Sequence, residues 1–252
     1  MRELNTDRPD KTESPITVDA GHFQVETDIV IMSIDRASEY DATTGETTIT
    51  KTRSATYNLM NAKIGVTNWM DFQVVVESYT NTKTTVGNEP STTQKGFGDT
   101  TLRLKMNVLG NDGGPVAIGL MPTIKLPTNT DNRGNKKAEL GIMMPVGIEL
   151  PNDFGMGLML QYNRNKNELN DSTHNEFVTT MTVGHDIIGS LAGYLEFYSQ
   201  ASDDVGARWT ATIDMGLTYG IGEDIQLDAG LNLGVTDPAD DYNPFLGLTF
   251  RI

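Results

Sequence analysis

Ile225-Gln226-Leu227-Asp228-Ala229-Gly230-Leu231-Asn232-Leu233-Gly234-Val235 is apolar at every second position. After a short Asp-rich break the alternation resumes. Tyr242, Pro244, Leu246, Leu248, Phe250 and Ile252 share one face, and Asn243, Phe245, Gly247, Thr249 and Arg251 share the other. A period of two marks strands, because successive side chains leave opposite faces of the pleat. The second face carries Asp228 and Arg251 and is too polar to be a protein core. Apolar outside and polar inside is the pattern of a transmembrane β-barrel.

Composition agrees with that reading. The hydrophobic fraction of 37% is below the roughly 45–50% of soluble globular chains, as expected where only one strand face is apolar. No apolar run approaches the roughly 20 residues of a membrane helix, so a bilayer-spanning chain of this kind must close as a barrel. There is no cysteine, hence no disulfide framework, thiolate nucleophile or Cys-ligated metal. The net charge of −15 argues against nucleic acid as a partner. Met1-Arg2-Glu3-Leu4-Asn5 has no hydrophobic signal core, so the expected form is a mature one with its signal peptide removed.

The chain divides into an extended N-terminal segment, 1–20, and a single barrel domain, 21–252. Strands are expected near 22–31, 48–66, 72–80, 99–109, 115–126, 138–150, 155–165, 174–186, 191–201, 207–219, 225–235 and 242–252. That is about twelve, an even number as bacterial barrels have. The facing of 48–66 stays open, because Tyr57 and Leu59 alternate against Met60 and Ile64. Connections near 67–71, 110–114, 151–154, 187–190 and 220–224 are tight. Those at 36–46, 81–95, 127–137, 166–173, 202–206 and 237–241 are mostly longer and polar. This alternation suits short periplasmic turns and longer extracellular loops, with both termini on the short-turn side.

Aromatic placement points the same way. Trp209 and Tyr219 share a face ten residues apart, which at a strand rise of about 3.3 Å and a tilt near 40° spans roughly 25 Å of membrane normal. Tyr242 and Phe250 bracket the last strand similarly. These four are expected at the membrane interfaces.

The N-terminal segment also carries letters of its own: Thr6-Asp7-Arg8-Pro9-Asp10, then Thr12-Glu13-Ser14-Pro15, then Gly21-His22-Phe23-Gln24-Val25-Glu26. They resemble the opening of the family of outer-membrane transporters named for the MetA pathway of phenol degradation. The resemblance is specific over residues 6–27 and architectural beyond them. It implies an outer-membrane barrel that passes small molecules, aromatic or hydrophobic compounds among them. The closing Arg251-Ile252 departs from the aromatic C-terminus of many outer-membrane proteins.

Catalytic chemistry finds little support. His22 and His174 fall at opposite barrel ends, and His185 and Asp186 face opposite ways as strand neighbours. No Gly-x-Ser-x-Gly elbow is present. Asp203, Asp204, Asp237, Asp240 and Asp241 lack the twelve-residue calcium loop and its closing Glu. No catalytic residue, cofactor or metal is assigned, and no enzyme is expected.

The lumen set is more informative. Glu26, Asp28, Glu77, Arg103, Lys105, Lys125, Glu149, Glu196, Arg208, Asp214, Asp228 and Arg251 fall on polar strand faces. They are expected to line the pore as a structural network, a selective conduit, or both. Asp7, Arg8 and Asp10 are candidates for a partial plug folded back among them. The expected partners are outer-membrane lipid and lipopolysaccharide, the outer-membrane assembly machinery and a small-molecule cargo. The leading reading is passive diffusion through the outer membrane of a Gram-negative-type cell. The alternative is a closed structural or surface-interaction barrel, with a barrel hydrolase less favoured.

Overall fold

A computed structural model describes residues 1–167 and 172–252. Its strands are β1 (Phe23–Asp41), β2 (Glu46–Thr67), β3 (Met70–Val76), β4 (Tyr79–Val86), β5 (Thr92–Phe97), β6 (Thr100–Leu109), β7 (Val116–Leu126), β8 (Glu139–Glu149), β9 (Phe154–Lys166), β10 (Thr173–Ile188), β11 (Leu191–Ser202), β12 (Thr210–Ile221), β13 (Ile225–Gly234) and β14 (Tyr242–Arg251). Every pairing between these strands is antiparallel. β2 pairs with both β3 and β4, and these in turn pair with β6 and β5. So β3 with β4, and β5 with β6, are two interrupted staves, and the fourteen segments make a barrel of twelve. β1 closes it against β14, where Phe23 and Ile252 exchange backbone hydrogen bonds of 3.0 and 2.8 Å. Among the described residues no helix is long and apolar enough to cross a membrane.

The interior is inverted relative to a soluble protein. Its largest fully buried side chains include Lys105, Gln24, Gln73, Glu26 and Glu196, while Leu140, Leu160, Phe177, Leu195 and Leu217 are exposed. Among the described residues, buried apolar side chains gather in one small cluster of Met121, Met143 and Met159. A water-facing surface of exposed leucines and a sealed interior of charge would be unstable, so the solvent outside this wall is lipid.

Tight connections at 68–69, 110–115, 150–153, 189–190 and 222–224 lie at the end that holds both termini. Two connections differ from their expected form. The stretch 36–46 is no loop: β1 runs to Asp41 and β2 starts at Glu46, with a four-residue turn between them. Most of 81–95 is likewise strand, in β4 and β5, around a turn at 87–91. Threonine favours the extended backbone, and with water on both faces these strands have no apolar alternation to betray them. The expected connection at 166–173 falls partly outside the described residues.

These longer strands rise past the barrel rim. β14 follows β1 only to the pair Ile34–Tyr242, and β7 reaches Thr100 of β6 but pairs with no part of β5. Beyond those points β1, β2, β4 and β5 continue as a four-stranded sheet. Where this sheet leaves the barrel, the ladder is broken across four staves at one level. The breaks are at Ile29, Asn58, 77–78 and 98–99. Asn58 holds a left-handed φ of 52°, a conformation that asparagine tolerates better than most residues. The break also resolves the facing of β2. Tyr57 pairs with Val30 and Leu59 with Asp28, so the extra residue lets Tyr57 point outward with Met60 and Ile64 while Leu59 turns inward.

Candidate lumen site and its N-terminal segment

Residues 2–19 run along the inward faces of the staves, and Asp7, Arg8, Lys11 and Glu13 are each met by an opposite charge from the wall. Asp7 is buried and forms ion pairs with Lys63, at 2.5 Å, and with Lys105. Lys63 also pairs with Glu26, whose carboxylate accepts the Asp7 backbone N–H at 3.1 Å. Arg8 spans two strands, reaching Asp28 at 2.8 Å and Asp228 at 2.7 Å. A Cβ at Gly247 would fall against that guanidinium and the Asp228 carboxylate, so the missing side chain is what admits Arg8.

The next turn of the segment faces the opposite wall. Lys11 pairs with Asp214 at 2.9 Å and lies 4.3 Å from the Tyr198 ring centroid. Glu196 accepts the backbone N–H groups of Lys11 and Thr12, both at 2.8 Å, and the Thr12 hydroxyl at 2.6 Å. Arg103 pairs with Glu13 at 2.6 Å, and the Asn107 amide donates to the Pro15 carbonyl at 2.8 Å. At the terminal end Arg251 donates to the Arg2 carbonyl and pairs with Asp224. Arg2 itself pairs with Asp19 at 2.6 Å. Partial burial pushes the Asp19 carboxyl up, but the Arg2 backbone N–H and guanidinium outweigh it and hold it below its ordinary range. On the opposite, loop side, Asp203 is held low by the Asn175 backbone N–H and side-chain amide, each at 2.6 Å.

Of the twelve residues expected on the lumen face, eight touch this segment: Glu26, Asp28, Arg103, Lys105, Glu196, Asp214, Asp228 and Arg251. Lys125 and Glu77 pair with each other at 3.3 Å, with Glu77 in the break between β3 and β4 rather than within a strand. Glu149 sits at the rim beside the tight turns and lines a cavity there. Arg208 does not belong to the set. β12 begins at Thr210, which leaves Arg208 in the preceding loop, exposed and 4.0 Å from Asp237. Trp209 falls in that loop too; it and Tyr242 mark the loop end of the wall, and Tyr219 and Phe250 the turn end.

Lys63, Lys11 and Glu13 were not singled out from the sequence. Lys63 was hidden by the unresolved facing of β2. Lys11 and Glu13 lie in a segment without periodicity, where the only signal is the density of charge.

The segment does not fill the lumen. A cavity of about 840 Å³ remains between residues 2–16 and the wall from β7 to β12. Gly147, Gly155, Gly157 and Gly184 line it; the missing side chains of Gly147 and Gly157 admit Pro15 and Thr12 of the segment, and that of Gly155 leaves open space. Asp10, Tyr194 and Asp186 also line it, while the His185 ring packs on Phe154 at 4.2 Å on the outward face. A second, smaller polar cavity of about 420 Å³ sits at the loop end, among Asp35, Arg36, Arg208, Asp237 and Asp241. Among the described residues no group of three or more His, Cys, Asp or Glu is placed to hold a metal ion.

With this geometry in view, three solved structures share the fold. An outer membrane channel from Pseudomonas putida F1 is similar at 11% identity with a TM-score of 0.66, over 98% of this chain and 100% of that one. The NanC porin is similar at 11% identity and 0.52, over 88% and 99%. The translocator domain of the autotransporter NalP from Neisseria meningitidis is similar at 9% identity and 0.51, over 93% and 90%. No curated protein sequence matches the chain. The family described as "Putative MetA-pathway of phenol degradation" matches residues 6–252. The chain therefore belongs to that family, as an outer-membrane β-barrel of twelve staves that carries its own N-terminal segment inside.

Proposed function

We propose that the protein is an outer-membrane channel through which small molecules diffuse, with residues 2–16 narrowing the path. The observation that carries this reading is the cavity between that segment and the glycine-lined wall of β8, β9 and β10. A Cβ at Gly155 would meet nothing within 4 Å, and a barrel whose interior served only as a packed core would place a side chain there. Tyr194 on β11, with Leu4, Pro9, Pro15 and Ile16 of the segment, gives this polar cavity some apolar and aromatic surface. That mixture suits small aromatic compounds carrying a hydroxyl, and the family name supports the same class. The cavity holds Glu3, Asp10, Glu149, Asp153 and Asp186 against Arg2 and Arg8, so the path favours cations over anions.

The buried ion pairs of the segment favour a second reading, a barrel closed by its own N-terminus. Planar-bilayer recording of the full chain separates the two. Discrete conductance steps, with a cation-favouring reversal potential under a salt gradient, are expected. A silent bilayer from correctly folded protein supports the closed barrel, and an anion-favouring potential contradicts the charge argument.

A further inference from the structure

We infer that the outward face of the projecting sheet is a binding site for the phosphorylated headgroup of an outer-leaflet glycolipid, lipopolysaccharide in a Gram-negative outer membrane. The inference starts from strand register. Residues directly opposite each other in a ladder share a face. Tyr57 pairs with Tyr79 and Tyr79 with Phe97, so the three rings form one outward row across three staves. The Tyr79 and Phe97 rings meet edge to face at 5.7 Å. Each of the three is more than a third exposed. Such a row above an apolar wall marks the depth where lipid tails give way to headgroups.

The same outward face changes character within a few residues above that row. It carries Lys95 on β5, Lys83 on β4, Arg53 and Lys51 on β2, and Arg36 on β1, all exposed. Arg53 stands directly opposite Lys83, and Arg36 directly opposite Lys51. The remaining outward positions from the aromatic row up are neutral: Val30, Met32, Ile34, Ser38 and Tyr40; Thr47, Ile49 and Ala55; Asn81 and Thr85; Thr93. Arg36, at the sheet edge, also borders the acids of the loop-end cavity, but Lys51, Arg53, Lys83 and Lys95 share their face with no carboxylate, an unusual surface in a chain of net charge −15. The acids of this sheet, Asp35 and Glu39 among them, point to the other side.

Two like-charge pairs placed directly opposite each other are destabilising in a bare sheet. They stop being so when an anion sits between them. Arg and Lys meet phosphate oxygens by charge-assisted hydrogen bonds, and the first of these cations lies two residues above the aromatic row. At about 3.3 Å per residue that is the height of a headgroup phosphate rather than of bulk solvent. The inner face of the sheet is already occupied at its base. Residues 127–138 fold over it, with Arg133 donating to Thr82 at 3.0 Å and Gln94 to the Asp131 carbonyl at 3.0 Å. The outward face has no such cover among the described residues.

The test uses the full chain in detergent, with purified lipopolysaccharide retained on it and counted by native mass spectrometry or a titration. The variant Lys51→Gln/Arg53→Gln/Lys83→Gln/Lys95→Gln changes only exposed side chains, and its fold is checked by heat-dependent gel mobility. Wild-type protein is expected to bind lipopolysaccharide at least tenfold more tightly than the variant. Its binding should weaken with added salt, and lipid A stripped of its phosphates should not be retained. Equal binding by the two proteins overturns the inference, as does equal retention of the dephosphorylated lipid. Displacement by millimolar inorganic phosphate assigns the site to free phosphate and overturns the lipid.

Discussion

The two halves of the barrel wall differ in how strictly they keep one rule. From β10 to β14 the ladders run almost without interruption, and side chains alternate between lipid and lumen along each strand. From β1 to β6 the ladders break at one level across four staves, and the strands then leave the membrane as a separate sheet. Both halves are β-structure of the same pairing sense, yet the outward face means lipid in one and water or headgroup in the other. A single alternation rule reads the first half and misreads the second. What decides is the medium outside the wall at each height, not the strand itself.

The largest effect tests what the two halves share, the buried charge of the lumen. Asp7 neutralises Lys63 and Lys105 in a buried setting. Asp7→Asn takes from Lys105 its ion-pair partner, and breaking a buried pair in this way costs about 3–5 kcal/mol. Unfolding in urea-containing detergent or lipid should show that loss. A variant as stable as the parent would mean that Glu26, Asp71 and Glu13 satisfy both ammonium groups without Asp7.

Next comes a matched pair on the outward face. Leu195, exposed on β11 and paired with Met215, lies in the lipid-facing band, so Leu195→Arg should cost about 2–4 kcal/mol. Ile49 occupies the same face of β2, eight residues above Tyr57 on the projecting sheet. Ile49→Arg should change stability by no more than about 0.5 kcal/mol. Equal costs at the two sites would erase the distinction between the halves.

The smallest effect probes the level at which the halves diverge. Asn58 holds its left-handed backbone where β2 is interrupted. Asn58→Ala should destabilise by about 1 kcal/mol and Asn58→Gly by less. If both are neutral in equilibrium unfolding, the break is not held by that residue.

These contrasts also explain what could be read from the letters alone. β13 and β14 announce themselves because Leu227, Ala229, Leu231 and Leu233 alternate with Gln226, Asp228, Gly230 and Asn232. Inward placement of Asp228, Glu196 and Asp214 follows from the same period, and each meets the N-terminal segment. β4 and β5 read as loop because Thr80, Thr82 and Thr84 on one face are as polar as Asn81, Lys83 and Thr85 on the other, which leaves no contrast to detect. Lys63 was lost for a different reason: one added residue at Asn58 shifts the phase of everything after it. Arg208 was misplaced because strand ends carry little periodic signal. The partners of Asp7 and Arg8 are long-range and follow only once the barrel has closed.

The central claim is that residues 2–16 stand in an otherwise open lumen and set its width. Single-channel conductance of the full chain against a form lacking residues 2–18 tests it most directly, with heat-dependent gel mobility confirming that both barrels fold. The account predicts a conductance several-fold higher in the truncated protein, whose lumen regains the space that Asp7, Arg8, Lys11 and Glu13 fill against Lys63, Asp28, Asp214 and Arg103. Equal conductance in the two folded proteins would contradict it.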